Sequence, residues 1–413
     1  SDRLHFPVYI ERREPHRDNE PFPIDSTGCL HYRQRQSYIR FNKFTSDHPH
    51  NTIMKKIQHP LMALLLLATA LSVACSADRT ETVSSPDGNI EIKFCLTPQG
   101  EPTYSATYKD RPIVANSLMG FEIKDAEPLT GGFRMDGVNS SETHETWAPV
   151  WGENDSIVNN YRQMAVNLSR GDLKMNIEFR VYDDGFGFRY LFPEQPAKQY
   201  VVTDEMTQFA MAGDHTAWWI PGDYDTQEYE YTRSRLSEIR SHADDEFMPN
   251  VSSQRFSPTG VQTALLLKTD DGLYLSLHEA ALVDFPAMHL DLDDSTLVFK
   301  AHLTPGPDGT MATFDTPFKT PWRTVTIGEK ATDILASNLI LNLNDPCALD
   351  DVSWIHPTKY MGVWWEMITG ASSWNYTDAE NFDLSTFDYS KAKPNGRHAA
   401  NNENVRRYID FAA

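Results

Sequence analysis

The sequence predicts a mainly β protein: a large antiparallel β domain, long enough for a two-sheet sandwich of many strands, followed by the first βα unit of an α/β domain. Three observations predict it. Between about residue 80 and residue 345 apolar residues recur with period two, and helical periodicity is scarce. Two pairs of alternating runs are joined by Asp-Asp-Gly, at residues 183–185 and 270–272, a strong short-range hairpin signal. After Pro346 the pattern changes to a continuous apolar run, a long loop and a helix-period segment.

Taken in order, Ile90, Ile92 and Phe94 alternate with polar residues, as in a strand with one buried face, and Cys95 beside them reads as a buried small hydrophobe. Met175, Ile177, Phe179 and Val181 pair through the first turn with Phe186, Phe188, Tyr190 and Phe192. Leu265 and Leu267 pair through the second with Tyr274 and Leu277. Further strand-like runs are 297–301, 323–327 and 339–343, and Asn344-Asp345-Pro346 closes the last of them. A linker at 350–357 leads to an apolar run at 360–365, which reads as a strand buried on both faces. Val405, Tyr408, Ile409 and Ala412 fall at i, i+3, i+4 and i+7, one face of a helix. One βα unit cannot bury its own faces, so the chain is expected to be part of a longer protein.

The 413 residues exceed one ordinary core, which also favours two domains or more. A formal charge of −21 argues against nucleic acid or an anionic membrane as partner, because both need a basic surface. It suits an exported protein, a cation binder or an enzyme acting on neutral substrates. Met54 is the first methionine, and residues 54–75 read as a bacterial signal peptide: Lys55 and Lys56, an apolar run from Leu61 to about Val73, then small residues up to Cys75. The run is shorter than the ~20 residues that span a bilayer. Residues 1–53, polar and aperiodic, read as a spurious or disordered extension. Leu71-Ser72-Val73-Ala74-Cys75 is a loose lipobox, and Ser72-Val73-Ala74 also serves ordinary cleavage. The expected location is therefore the periplasm, or the outer membrane of a Gram-negative bacterium through a lipid anchor at Cys75. Cys29, Cys95 and Cys347 suggest no paired framework.

One short stretch stands out. PGDYDTQEYEY, residues 221–231, gathers Asp223, Asp225, Glu228 and Glu230 with Tyr224, Tyr229 and Tyr231. A solvated turn, a cation site and a sugar-binding surface all fit. Asp223, Asp225 and Glu230 can shape the loop through Asx-turns, and the spacing is not that of an EF-hand. No G-x-S-x-G elbow, P-loop, G-x-G-x-x-G before a helix, or Cys/His metal spacing occurs. Asp291-Leu292-Asp293-Asp294 reads as a strand end and a turn. His278 and Glu279, adjacent on a strand, face opposite ways, and His278 reads as a satisfied structural histidine. Trp147, Trp151, Trp218, Trp219 and Trp322 read as sandwich core or interdomain contacts, and Trp364 as core.

WIPGDYDTQEYEYTRSRLSEIR, GVQTALLLKTDDGLYLSLHEAALVD, FKTPWRTVTIG, KYMGVWWEMITG and KPNGRHAANNENVRRYIDFAA together resemble glycoside hydrolase family 97, over about residue 83 to the end, and within it the α-glucosidases of starch utilisation. The resemblance implies a β super-sandwich at 80–345 and, from 346 to 413, a linker and the start of a catalytic (β/α)8 barrel whose site lies at the strand C-terminal ends. It implies calcium dependence, with Glu228 as the one Ca2+ ligand from the sandwich, close to the substrate. It implies that Trp365 lines the sugar subsite, the indole packing on a pyranose face. The substrate is expected to be an α-linked oligosaccharide. The route is expected to be inverting, its catalytic carboxylates lying beyond residue 413, so that these residues alone are expected to be inactive. A retaining α-galactosidase of the same family is the alternative, as is a non-catalytic carbohydrate-binding sandwich if the chain ends here.

Overall fold

A computed structural model describes residues 80–243, 252–377 and 392–413. The expectations for residues 1–53, the signal at 54–75 and lipidation at Cys75 fall outside the described residues. The chain divides between Val352 and Ser353 into two units, taken here one at a time.

The first unit is built mainly of β-strands. In chain order it holds β1 (Thr80–Ser84), β2 (Ile90–Leu96), β3 (Pro102–Tyr108), β4 (Arg111–Leu118), β5 (Phe121–Ile123), β6 (Arg134–Trp147) and β7 (Ile157–Arg170). Next come β8 (Leu173–Tyr182), β9 (Gly185–Phe192), β10 (Gln199–Glu205), β11 (Gln208–Met211), β12 (Thr216–Trp219), β13 (Thr232–Arg235) and β14 (Gly260–Val261). The rest are β15 (Leu265–Lys268), β16 (Tyr274–Ala280), β17 (Met288–Asp293), β18 (Val298–Leu303), β19 (Ala312–Asp315), β20 (Phe318–Lys319) and β21 (Trp322–Gly328). Among the described residues a 3-10 turn (Leu236–Glu238) and three short α-helices interrupt them: α1 (Ile239–His242), α2 (Ala331–Ala336) and α3 (Leu339–Asn342).

The strands form an eight-stranded sheet, β1-β2-β3-β4-β11-β18-β17-β14, and a ten-stranded sheet, β13-β12-β15-β16-β21-β9-β8-β7-β6 with β20 beside β9. A small third sheet is β19-β10-β5. Pairing is antiparallel throughout the three sheets, and both Asp-Gly hairpins form where the sequence puts them, as β8–β9 and β15–β16. The period-two pattern has one cause: alternate residues meet the facing sheet. Phe179 on β8 and Phe188 on β9 are fully buried. Their rings lie 6.0 Å from Phe94 on β2 and 4.8 Å from Tyr104 on β3, so aromatic side chains from both sheets interlock.

One charged group sits inside this core. The Arg323 guanidinium donates to both oxygens of Glu205, at 2.9 and 2.6 Å, and to Glu279 at 2.8 Å. All three residues are buried. Burial pulls the guanidinium's pKa down, but the charges of Glu205 and Glu279 push it above its usual value. Glu279 titrates higher than usual, because burial outweighs the Arg323 charge.

On the outer face of β9, Gly185 and Gly187 leave a notch. A Cβ on Gly187 would lie 2.7 Å from a Leu343 methyl, and one on Gly185 3.1 Å from a Leu339 methyl and 2.4 Å from the Val325 carbonyl. Leu339 and Leu343 fill that notch from one face of α3. Residues 339–343, expected as a strand, are instead α3 and its C-cap Leu343: a short apolar run does not by itself distinguish the two, and here i, i+4 spacing fits the notch. Cys95 is buried in β2 as expected, but it is disulfide-bonded, which corrects the reading of no paired framework. Of the five tryptophans assigned to core or interface, Trp219 and Trp322 are buried, while Trp151 is exposed at the end of the β6–β7 hairpin.

The second unit holds α4 (Trp365–Ile368) and α5 (Asn402–Ala412). Helix α5 is the one that the apolar spacing predicts, and its N-cap is Asn401, whose Oδ1 accepts from the Asn404 amide at 2.9 Å. The expected strand at 360–365 does not form, and Tyr360 and Trp364 are exposed rather than core. A parallel strand is held by ladder partners, and none of the described residues supplies one. The start of a barrel is thus not shown.

Candidate functional site

The acidic segment 221–231 is an ordered arm. Its centre is Asp223, which is buried and accepts five hydrogen bonds. Oδ1 takes the Asp225 and Thr226 amides at 2.8 and 3.1 Å. Oδ2 takes the Tyr229 and Ser253 hydroxyls, each at 2.8 Å, and the Gln254 amide at 2.9 Å. Burial raises the Asp223 pKa, but those amide and hydroxyl donors outweigh it and hold the carboxyl below the usual range. Asp223 is thus consumed in shaping the arm, and Asp225 accepts from the Ser252 hydroxyl.

Behind the arm, Gln262 donates its amide to the Asp223 carbonyl at 2.8 Å and meets Gln227 at 3.3 Å. The Phe256 ring stacks 4.0 Å from the His302 ring and 5.6 Å from Tyr224. It fits because Gly222 and Gly260 have no side chains: a Cβ on either would lie 2.3–2.6 Å from the ring. Tyr229 is buried as well.

Glu228 projects from this scaffold. Its side chain is exposed and makes no hydrogen bond among the described residues, and its amide donates to Thr226 Oγ1 at 3.1 Å. Tyr231, three residues on, is exposed as well. A hard cation takes several oxygen ligands, and an uncommitted carboxylate on a rigid arm suits one of those positions. No group of three or more His, Cys, Asp or Glu that could hold a metal occurs among the described residues. The donor chemistry therefore fits Glu228 as one ligand and does not by itself build a site.

Trp365 lies in the other unit, at the first position of α4, and is 65% exposed. Next to it, Glu366 ties α4 to α5: its carboxylate accepts from Asn404 Nδ2 at 2.9 Å and pairs with Arg407. Burial raises its pKa, but hydrogen bonds from Tyr408, Asn404 and Ser372 and the Arg407 charge hold it below the usual range. A cleft of about 390 Å³ opens there, lined by Glu366, Ser372, Arg397, His398, Asn404 and Arg407. Trp374 and Tyr376 approach His398, with centroids 5.6 and 6.2 Å away.

His278 is structural but not satisfied. It is half-buried, its Nδ1 has no partner, and burial lowers its pKa. Its cross-strand neighbour Thr324 also lacks a partner for Oγ1. Sequence reasoning missed Gln262, His289, His302 and Phe256, which lie 25 to 71 residues beyond the end of the arm, on other strands and loops. The paired small residues Gly222 and Gly260 were the available signal.

The sequence pattern described as glycosyl-hydrolase 97 N-terminal matches residues 83–346. The chain is 24% identical over 382 residues to a retaining alpha-galactosidase of Bacteroides thetaiotaomicron, covering 85% of this chain and 51% of that protein. It is 25% identical over 326 residues to a probable retaining alpha-galactosidase of Streptomyces bingchenggensis, covering 75% and 46%. A glycoside hydrolase family 97 enzyme of Pseudoalteromonas sp. strain K8, solved with panose and with acarbose, is 34% identical with a TM-score of 0.65, covering 80% of this chain and 45% of that one. The chain spans about half the length of these relatives.

Proposed function

Because the chain belongs to glycoside hydrolase family 97, we propose that it is the N-terminal part of an exported, calcium-dependent enzyme that hydrolyses α-glucosides by inversion. The observation that carries this reading is the identity gradient: 34% to the enzyme that binds panose and acarbose, against 24% and 25% to the α-galactosidases. Panose is an α-linked glucose trisaccharide. The retaining α-galactosidase reading is the second, favoured by the names of both curated relatives.

In this reading the sandwich presents Glu228 as one calcium ligand, which a rigid arm places without ordering cost at each turnover. Calcium would supply charge that helps orient the substrate. Trp365 would offer its indole to a pyranose face, while hydroxyls reach polar neighbours. Inversion takes one carboxylic acid and one carboxylate that activates water, and no described residue is assigned either role.

The test is made on the enzyme that carries this chain. Para-nitrophenyl α-glucoside should be cleaved and the α-galactoside not, and the sugar first released should be the β anomer by NMR. Release of the α anomer, or preference for the galactoside, overturns the reading. Glu228→Gln should raise the calcium needed for half-maximal activity roughly tenfold, because ligand charge sets affinity. An unchanged calcium requirement removes Glu228 from the site.

A further inference from the structure

The underside of the 221–231 arm rests on two histidines. His289 on β17 and His302 on β18 are directly opposed across the strand pair. His289 Nε2 lies 3.2 Å from the Asp223 carbonyl, so this nitrogen carries the proton and donates. Its Nδ1 is buried without a hydrogen-bond partner. His302 Nε2 is bonded to the Tyr224 hydroxyl, and its ring is stacked on Phe256. Neither histidine touches Glu228. We propose that His289 and His302 are positioning residues that form a proton-sensitive latch, seating the arm when both rings are neutral and loosening it, with Glu228, when they take up protons. The consequence for Glu228 rests on the proposed role of that residue, whereas the latch itself does not.

Protonation changes three things at once. His302 Nε2 can then only donate to the Tyr224 hydroxyl, which fixes the direction of that bond. His289 gains a second N–H at a nitrogen that has no partner. Two like charges then face each other across neighbouring strands inside a stack of rings. The groups around His289 are Asp223 and Tyr224 on the arm and His302 opposite, and those around His302 are Tyr224, Asp291, Asp204 and Lys300. For His289, burial lowers the pKa first, and the Asp223 and His302 backbones only partly offset it. For His302, burial again leads, against the charges of Asp291 and Asp204.

The sign follows. In the open arm the rings titrate near their ordinary value of about 6.5, and in the seated arm lower. The seated state is thus unaffected well above that value and loses ground as pH falls below it. The opening constant should rise by up to about tenfold per pH unit for each histidine that takes up a proton on opening. Asp223, held below the usual carboxylate range, stays ionised across this window.

Hydrogen exchange of the chain tests this without calcium or sugar. Peptides covering 221–231 should lose protection, corrected for intrinsic exchange, by tenfold or more between pH 7.5 and 5.5. Peptides covering β8 and β9 should not. The double variant His289→Gln and His302→Gln keeps a donor and an acceptor without a titration, and its arm should be flat with pH. An arm that keeps its protection at pH 5.5, or that opens only together with β8 and β9, overturns the latch, and the wild-type protein alone decides this. Equal pH dependence in wild type and variant also overturns it.

Discussion

Replacing Arg323 with Met is the sharpest probe of the sandwich. The substitution keeps an unbranched apolar stem but removes the only cation that the buried carboxylates of Glu205 and Glu279 touch among the described residues. Removing one partner from such a group leaves uncompensated charge in a low dielectric, at a cost of about 3–5 kcal/mol. At roughly 2–4 °C per kcal/mol for a domain of this size, the melting temperature should fall by about 6–20 °C at pH 7. The loss should shrink in acid. Glu279 already titrates higher than usual through burial, and without Arg323 nothing offsets that burial, so the variant is least handicapped below the unfolded carboxyl range near pH 4.3 and most handicapped above it. A triple variant, Glu205→Leu, Arg323→Met and Glu279→Leu, should recover most of the loss, since apolar replacement of a whole buried ion group is often neutral or stabilising. Differential scanning calorimetry on the three proteins at pH 7 and pH 4.5 reads all of this. A single variant that melts within about 2 °C of wild type, or a triple variant no better than the single, would falsify the account of the triad as a charge-compensated core.

Two further expectations concern the arm. Gly222→Ala places a methyl 2.3 Å from the Phe256 ring, and the displaced stack should cost about 1–3 kcal/mol and expose 221–231 to protease; unchanged cleavage would show that the ring has room to move. Asp223→Asn turns an NH2 toward the Gln254 amide, which cannot rotate away as the Tyr229 and Ser253 hydroxyls can, and should cost about 1.5–3 kcal/mol. Because its pKa is depressed, the Asp223 contribution is present above about pH 3.9 and fades only in stronger acid, so exchange at pH 5.5 should still separate wild type from Asp223→Asn.

The β architecture was legible because it is local. A two-residue period and Asp-Gly turns are written in consecutive positions, and β8, β9, β15, β16 and α5 form where they predict. What depends on distant partners was not. Residues 339–343 carry no mark that two glycines some 150 positions earlier leave a socket for leucines. The apolar run at 360–365 reads as a strand only if neighbours pair with it. At the arm, the sequence displayed the carboxylates but not their division of labour: Asp223 is spent on five donors and Glu228 on none, a difference set by Ser253, Gln254 and Gln262 on another loop. The histidines beneath gave no local signal at all, since their meaning lies in facing each other across β17 and β18.

The notch over Gly185 and Gly187 also sets how the sandwich would yield to force. The segment that follows β21 is not free to peel from Gly328 onward, because Leu339 and Leu343 are pegged into the sheet one strand away. Tension applied beyond residue 343 is therefore delivered first to those two pegs, sideways across β9, and reaches the hydrogen-bond ladder of β21 only after they have been drawn. Filling the socket with a single methyl at residue 187 would move the point of first rupture from the pegs to the ladder.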